Sequence, residues 1–376
     1  MSTSLRVAIV GGGIGGLALA QGLTKAGVEV RLYERDESPL SRKQGYRIHI
    51  SPVGEDALAA MLPADVMRRV VETSSRPGDL VGGFDGQLNP TFEQTFPVAG
   101  PDTVSAVDRY AFRRALMTGL DGVLRFGHEF EGYRETADGR VELRFTDGTS
   151  ATADVLVGAD GIGSRVRGQL LPDFPIVDIG VRCIYGKIPL TDAIRELVPP
   201  AFLRGFNFVT VGGGPGLAFG PVQFRTPPAE YGDYLMAVLT GTHEVLGVPD
   251  EELFALSAEG LWDLVVRRTR EWHPTIQRLV AAADVSAAFP ITLRTSTRIE
   301  PWQTGRVTLL GDAIHPMTPA AGAGANTALW DAARLTDALV GGDLATYEAE
   351  MIENARVVVE ESLRNAERMF GVQVAA

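Results

Sequence analysis

The sequence predicts an α/β fold in two parts. A parallel β-sheet layered with helices is interrupted by an inserted, mostly antiparallel sheet and followed by a C-terminal helix. Three observations carry this expectation. A strand, a glycine turn, a helix and a second strand open the chain. Two short apolar β runs far downstream, Val155–Val157 and Val307–Leu310, each end beside an Asp–Gly or Gly–Asp pair. Alternating strands lie between them. Short apolar runs are what a strand buried on both faces needs, whereas alternation marks a sheet with two unlike faces.

The opening unit is LRVAIVGGGIGGLALAQGLTKAGVEVRLYERD, Leu5 to Asp36. Val7 to Val10 form the first strand. Gly11, Gly13 and Gly16 follow in G-x-G-x-x-G spacing. A helix with Leu17, Ala20 and Leu23 on one face stops at Gly27, and a second strand, Val28 to Tyr33, ends at Glu34. This pattern suits a dinucleotide. Its pyrophosphate sits on a helix N-terminus, where bare N–H groups and the helix dipole favour negative charge. Side chains at Gly11 and Gly13 would block that approach. Gly16 lets helix and strand pack closely, and Glu34 accepts from a ribose diol. A lone glycine fingerprint is weak; here strand, helix, second strand and acid all stand where a βαβ unit needs them. Glu34 alone does not choose between FAD and NAD.

A second glycine cluster, VGGGPGLAFG (Val211–Gly220), offers no second nucleotide site. Pro215 falls where a helix would have to propagate, so a hairpin turn between strands is expected. Its neighbours GFNFVTV (Gly205–Val211), LAFGPVQF (Leu217–Phe224) and YLMAVLT (Tyr234–Thr240) read as strands of the inserted sheet. Arg204, Phe206, Phe208 and Thr210 share one face; Leu203, Gly205, Asn207, Val209 and Val211 share the other. The final helix is expected at Leu344–Phe370.

Composition narrows the class. The chain has 376 residues, 45% hydrophobic and 22% charged, with net charge −12. That is globular, large enough for two cores, and without the basic surface that nucleic acid requires. One cysteine, Cys183, excludes a disulfide framework and reads as an inert core residue. His49 and His315 lack metal-ligand spacing. No apolar run is long enough to span a bilayer, and the N-terminal run is too short for a signal peptide, so a cytoplasmic protein is expected.

Two more motifs complete the reading. ADVLVGADGIGSRVR (Ala153–Arg167) holds Asp160, Gly161, Ser164 and Arg167 in D-G-x-x-S-x-x-R spacing; alone it is also an ordinary strand–turn–helix join. GDAIHPMTPAAGAGAN (Gly311–Asn326) pairs Asp312 with a proline-stiffened, glycine-rich loop leading into a helix. The three motifs, in this order and across nearly the whole chain, resemble the single-component FAD-dependent aromatic hydroxylases. These are the group A flavoprotein monooxygenases of the p-hydroxybenzoate hydroxylase fold.

That resemblance implies a Rossmann-like FAD-binding domain at 1–75, 101–175 and 285–345. It implies a substrate domain at 76–100 and 176–284, and a C-terminal helix at 346–376. Gly11, Gly13, Ile14, Gly15, Gly16, Glu34 and Arg35 fall on the AMP-binding part. Arg109, in VDRYAFRRAL, matches an arginine that contacts FAD from a helix start; Arg47, in GYRIHISPVGEDAL, matches one near the flavin. Asp160 and Gly161 match the motif tied to FAD and nicotinamide. Asp312 matches the acid that holds the ribityl chain. Gly322, Ala323, Gly324, Ala325 and Asn326 match the backbone against the flavin ring. Pro316 and Pro319 are expected to wall that loop. Phe206, Phe208, Phe219 and Pro319 are candidates for the substrate side, although ordinary core packing also explains the phenylalanines.

The reaction implied uses NADPH or NADH transiently, without a nucleotide fold of its own, and O2 as co-substrate. Reduced FAD and O2 form a C4a-hydroperoxide that hydroxylates an aromatic or polycyclic compound. No general base is identified by spacing. Epoxidation, Baeyer–Villiger oxidation and a non-catalytic FAD-containing aromatic binder are the alternatives. A halogenase is not favoured, since no W-x-W-x-I-P signature occurs. The larger members' thioredoxin-like C-terminal domain is not expected, and the protein is read as a monomer or homodimer.

Overall fold

The computed structural model describes residues 5–39, 41, 45–97 and 99–374. The opening βαβ unit forms as the pattern requires. Strand Arg6–Val10 leads through the glycine turn into helix Ile14–Lys25 and back into strand Glu29–Tyr33. These two strands pair in parallel, and Arg6–Val10 pairs in parallel on its other side with Val155–Gly158. Val155–Gly158 in turn carries Val307–Leu309. With Leu124–Arg125 the sheet has five strands, all parallel.

Register explains why motifs some 150 residues apart converge. Val10 stands opposite Gly158, and Gly158 opposite Leu309. The glycine turn, the Asp160–Gly161 pair and the Gly311–Asp312 pair therefore leave the carboxyl ends of three adjacent strands. In an open parallel sheet that edge is where ligands bind.

The helices behind this edge cross tightly because glycines let them. A Cβ at Gly15 would lie 2.6 Å from Leu310 and 3.3 Å from Ala328 of helix Gly324–Gly341. The long helix Leu344–Phe370 packs against helix Gly324–Gly341 and the turn Pro319–Ala321. Tyr347 donates its hydroxyl to the Leu309 carbonyl, and Ser362 donates to the Thr318 carbonyl in the downstream loop.

The inserted sheet has seven strands and is antiparallel except where Gly205–Thr210 runs parallel to Leu80–Asp85. Gly205–Thr210 and Gly216–Val222 form the expected hairpin around the second glycine cluster. Strand Asp284–Ser296 departs from the expected division. It forms one edge of this sheet beside Ile176–Pro189, not part of the parallel half. The run is 13 residues long and pairs from Asp284 to Ser296, so it reaches from one part of the molecule to the other. Its last residue donates its N–H to the Pro316 carbonyl, 2.8 Å away.

The seven-stranded sheet has two apolar faces. On one, Val209, Phe219 and Leu217 lie in the strands under helix Pro200–Arg204, while helix Ala258–Thr269 covers strands Ile176–Pro189 and Asp284–Ser296, with Trp262 and Phe202 buried. On the other, Phe206, Phe208, Tyr185 and Phe289 meet Tyr46 and Ala320, the latter from the glycine-rich loop. Buried Cys183 lies in this second cluster, and burial pushes its thiol pKa up to about 12, as for an inert core residue.

Candidate active site

The site begins at the glycine turn. Gly11 has φ +110°, and a Cβ there would stand 2.3 Å from the Ala159 carbonyl oxygen. Gly11 is thus fixed by the neighbouring strand end and not by space for a ligand. Gly16 has the same kind of reason: its Cβ would lie 2.1 Å from the Gly11 carbonyl oxygen. Gly13 differs. Its backbone is ordinary and a Cβ would come no nearer than 4.0 Å to protein. The open space beside it is where the N-terminus of helix Ile14–Lys25 points. First-turn N–H groups have no intrahelical acceptor, so they are free for an anion. Ile14, Gly15 and Gly16 belong to that helix, with Gly15 and Gly16 buried behind the cleft.

Glu34 stands across the turn, 8% exposed. Its Oε2 accepts the Gly12 N–H at 2.8 Å and its Oε1 accepts the Asp36 N–H at 3.0 Å. Arg113 adds a contact that the motif search missed. It is buried, donates Nε to the Gly12 carbonyl at 2.9 Å, and has a guanidinium nitrogen 3.8 Å from Glu34. The available signal was its place one helical turn after Arg109 on helix Arg109–Leu116. Gly11, Gly13, Glu34, Arg35, Arg109, Asp160 and Gly161 all line this one cleft.

Asp160 is held by its own loop. It accepts Ser164 Oγ–H at 2.5 Å and the Arg165 N–H at 2.8 Å, capping helix Arg165–Leu170. Burial raises its pKa, and these hydrogen bonds pull it partly back. Arg167 donates to the carbonyls of Ala313 and Ile162, both at 2.8 Å, and so ties this motif to the Asp312 loop.

Beyond the cleft lies the third motif. Asp312 is exposed within a recess, 3.9 Å from where a Gly324 Cβ would stand. Lost hydration among the surrounding protein atoms raises its pKa, against the pull of His315 and Arg109. Arg109 therefore acts on both regions; its guanidinium also lies 5.7 Å from the Tyr46 ring centre. Gly322 has φ +61° and ends a short turn, after which helix Gly324–Gly341 starts. The first-turn N–H groups of Gly324, Ala325 and Asn326 face outward from that start, with Ala323 as the cap.

The expectation for Asn326 concerned its backbone, and its side chain is engaged elsewhere: it accepts the Ser51 N–H and donates to the carbonyls of His49 and Gly322. Two sequence-derived assignments need correction. Pro316 is buried and its carbonyl accepts from Ser296, so it anchors the loop and does not wall it; Pro319 alone stays exposed. Phe219 is fully buried on the helix-covered face, stacked 4.8 Å from Phe202. Strand alternation sends it away from Phe206 and Phe208, which share the face toward the loop.

Two buried polar groups had no local signal. His315 is fully buried, and its Nε2 lies 2.6 Å from Asp331 Oδ2, which also accepts the Gly311 N–H at 2.8 Å. Asp108 is equally buried. It accepts the Ala111 N–H, both Tyr231 and Tyr234 hydroxyls, and the Lys187 ammonium. Asp108 stands opposite Arg47 in a two-stranded ribbon, Arg47–His49 with Ala106–Asp108. That ribbon brings Arg47 beside Arg109, although 62 residues separate them. No group of three or more possible metal ligands occurs among the described residues, nor any helix long and apolar enough to cross a membrane.

The pieces fit FAD. An open glycine turn on a helix N-terminus, an acid across from it and a second acid beside another helix N-terminus suit a long molecule with a diphosphate in its middle. Comparison with known proteins agrees. A family described as FAD binding domain matches residues 4–180 and 266–359. The dual O-methyltransferase/FAD-dependent monooxygenase CTB3 of Cercospora beticola is 34% identical over 97% of this chain. The chain spans about half the length of that relative, 46%. The aurachin C monooxygenase/isomerase of Stigmatella aurantiaca is 30% identical, over 97% of this chain and 89% of its own. A crystal structure from Photorhabdus luminescens subsp. laumondii, assigned as an FAD containing monooxygenase, superposes with TM-score 0.85. Its identity is 34%, over 97% of this chain and 98% of that one. The chain belongs to the FAD-dependent aromatic hydroxylase family of flavoproteins and carries that family's FAD binding domain.

Proposed function

We propose that this protein is an FAD- and NAD(P)H-dependent monooxygenase that hydroxylates an aromatic or polycyclic small molecule. The observation that carries this reading is the meeting of three motifs at adjacent strand ends, facing an aromatic surface of the second sheet. Bound FAD supplies what no side chain has: acceptance of a hydride and activation of O2.

The chain's own residues position and shield. Glu34 would hold the adenosine ribose, with Arg113 keeping its carboxylate in place. The N-terminus of helix Ile14–Lys25 would take the pyrophosphate, with Arg35, Arg109, Asp160 and Gly161 around it. Asp312 would accept from a ribityl hydroxyl, and the N–H groups of Gly324 to Asn326 would face the ring, where the helix N-terminus favours negative charge. Phe206, Phe208 and exposed Pro319 would line the substrate side. Their apolar surfaces exclude water, which protects a reactive oxygen donor from wasteful decay. No general base is assigned.

In this reading the parallel-sheet part binds FAD and the seven-stranded sheet holds substrate. NADPH or NADH binds transiently, the protein works in the cytoplasm, and it is a monomer or homodimer.

The test is NAD(P)H oxidation in air by the FAD-loaded protein, with phenols, benzoates and polycyclic aromatics, while H2O2 is followed. A compound that speeds oxidation with little peroxide, and gains one oxygen in mass, supports hydroxylation. Insertion of oxygen next to a carbonyl, or epoxide formation, would move the reading to those reactions. Retention of FAD without any oxygen-linked turnover across the panel would favour the non-catalytic binder.

A further inference from the structure

Among the described residues, Arg47 is a cation without a counter-ion. Its Nε is buried and has no hydrogen-bond partner, and no ion pair to it occurs among the described residues. The nearest acid by register is Asp108, directly across the ribbon. That carboxylate is already filled by Ala111, Tyr231, Tyr234 and Lys187. Burial without a compensating acid lowers the Arg47 pKa to about 10, with the Tyr234 hydroxyl as the one group that opposes the shift.

The position of Arg47 is as telling as its isolation. Its guanidinium lies 5.8 Å from the Phe206 ring centre. A Cβ on Gly220, in the substrate sheet, would stand 2.9 Å from Arg47 Cδ and 3.0 Å from Phe206. The absence of a side chain at Gly220 therefore makes the room in which arginine and ring lie together. Phe208 packs edge-on against Phe206, their centroids 4.9 Å apart. Tyr46, next in chain to Arg47, joins Tyr185 and Phe289, and Ala320 of the loop touches the same group. An apolar, aromatic-rich surface with the unmatched Arg47 guanidinium against its Phe206 ring is complementary to a ring that carries an acidic oxygen. Guanidinium suits a carboxylate or other oxyanion by its planar fork of donors.

We propose that Arg47 is the specificity-determining residue of the substrate site and selects aromatic anions, whose carboxylate, phenolate or enolate oxygen it binds. This rests on the aromatic-substrate reading above. It moves Arg47 from the cofactor, where the family resemblance put it, to the substrate.

The experiment uses the FAD-loaded protein and reads binding as a change in flavin absorbance, with no turnover required. The probes are matched pairs: 1-naphthoate with 1-naphthamide, and salicylate with salicylamide. In the wild type the anion should bind at least about tenfold more tightly than its neutral partner, a difference of about 1.4 kcal/mol. In Arg47→Gln that lead should collapse to about twofold or less, and Arg47→Lys should restore part of it. Gly220→Ala gives a milder second route, since the new methyl displaces Arg47 or Phe206; the anion lead should shrink while the neutral probe is affected less.

FAD retention separates the two sources of negative charge. It should be the same in all four proteins. If Arg47→Gln loses FAD while Gly220→Ala keeps the anion lead intact, the arginine serves the cofactor and the proposal falls. It also falls if the wild type shows no anion lead, whether both probes bind alike or neither binds. An anion lead that depends on Arg47, in a protein with no oxygen-linked turnover, would instead sink the monooxygenase reading and leave this one standing.

Discussion

The glycine turn and the Asp312 loop are built by opposite means. At the glycine turn, position is set by what is missing. Gly11 and Gly16 exist because a methyl group would strike a carbonyl oxygen, that of Ala159 at the neighbouring strand end for Gly11 and that of Gly11 itself for Gly16. At the Asp312 loop, position is set by what is present: His315 and Gly311 on Asp331, Asn326 on Ser51 and His49, Arg167 on Ala313, Ser362 on Thr318. The first should therefore fail when atoms are added, and the second when atoms are removed.

The largest effect is expected at the Asp312 loop. Asp331→Ala removes the acceptor from a buried His315 and from the Gly311 N–H at once. Breaking a buried pair on one side costs about 3–5 kcal/mol. The loss should appear in chemical denaturation of the apoprotein and in weaker FAD retention. A stability within about 0.5 kcal/mol of wild type would mean that the pair does not hold the loop.

Gly16→Val tests the glycine turn. The added atoms meet backbone at 2.1 Å, which cannot swing aside. Overpacking of this kind costs about 1–3 kcal/mol, and FAD retention should fall with it. Gly13→Ala sharpens the point, because its methyl meets nothing nearer than 4.0 Å. The apoprotein should melt as wild type does, yet FAD should bind at least several-fold more weakly. Equal FAD affinity would show that the pyrophosphate does not pass over Gly13.

This contrast also decides what could be seen in the sequence. The glycine turn, Glu34 and the strand–Asp–Gly joins are local patterns, and local patterns were readable. So were the hairpin at Val211–Pro215 and the long helix Leu344–Phe370, since each depends on neighbours in the chain. Arg113 was half-visible, at helical spacing from Arg109. The His315–Asp331 pair, the filled Asp108 and the place of Arg47 were not, because each joins segments that only the fold brings together. Phe219 shows the matching error. Aromatic content marked it for the substrate side, but the pleat sends alternate residues to opposite faces, and one register step separates a pocket wall from a core residue.

Asp312→Ala probes the cofactor alone. In the apoprotein the side chain lies exposed in its recess, so its loss should change stability by no more than about 0.5 kcal/mol. A hydrogen bond from a ribityl hydroxyl to a carboxylate is worth about 1.5–3 kcal/mol, so FAD affinity should fall by roughly one to two orders of magnitude. Unchanged FAD occupancy would place the ribityl chain elsewhere.

The smallest effect is one of pH, and its sign follows from His315. Burial alone would lower the pKa of this imidazole, but attraction and hydrogen bonding to Asp331, with Asp312 adding to them, raise it above the ordinary value. The folded protein then keeps the His315 proton to higher pH than the unfolded chain does. The stabilisation is complete below the ordinary histidine value of about 6.5 and declines as pH rises through the raised folded value. The apoprotein should therefore melt lower above that value than at pH 6. His315→Asn should lose most of this slope, since it keeps a donor near Asp331 but cannot gain a charge. A slope of the same size in that variant would assign the titration to other groups and leave the loop held by a neutral hydrogen bond.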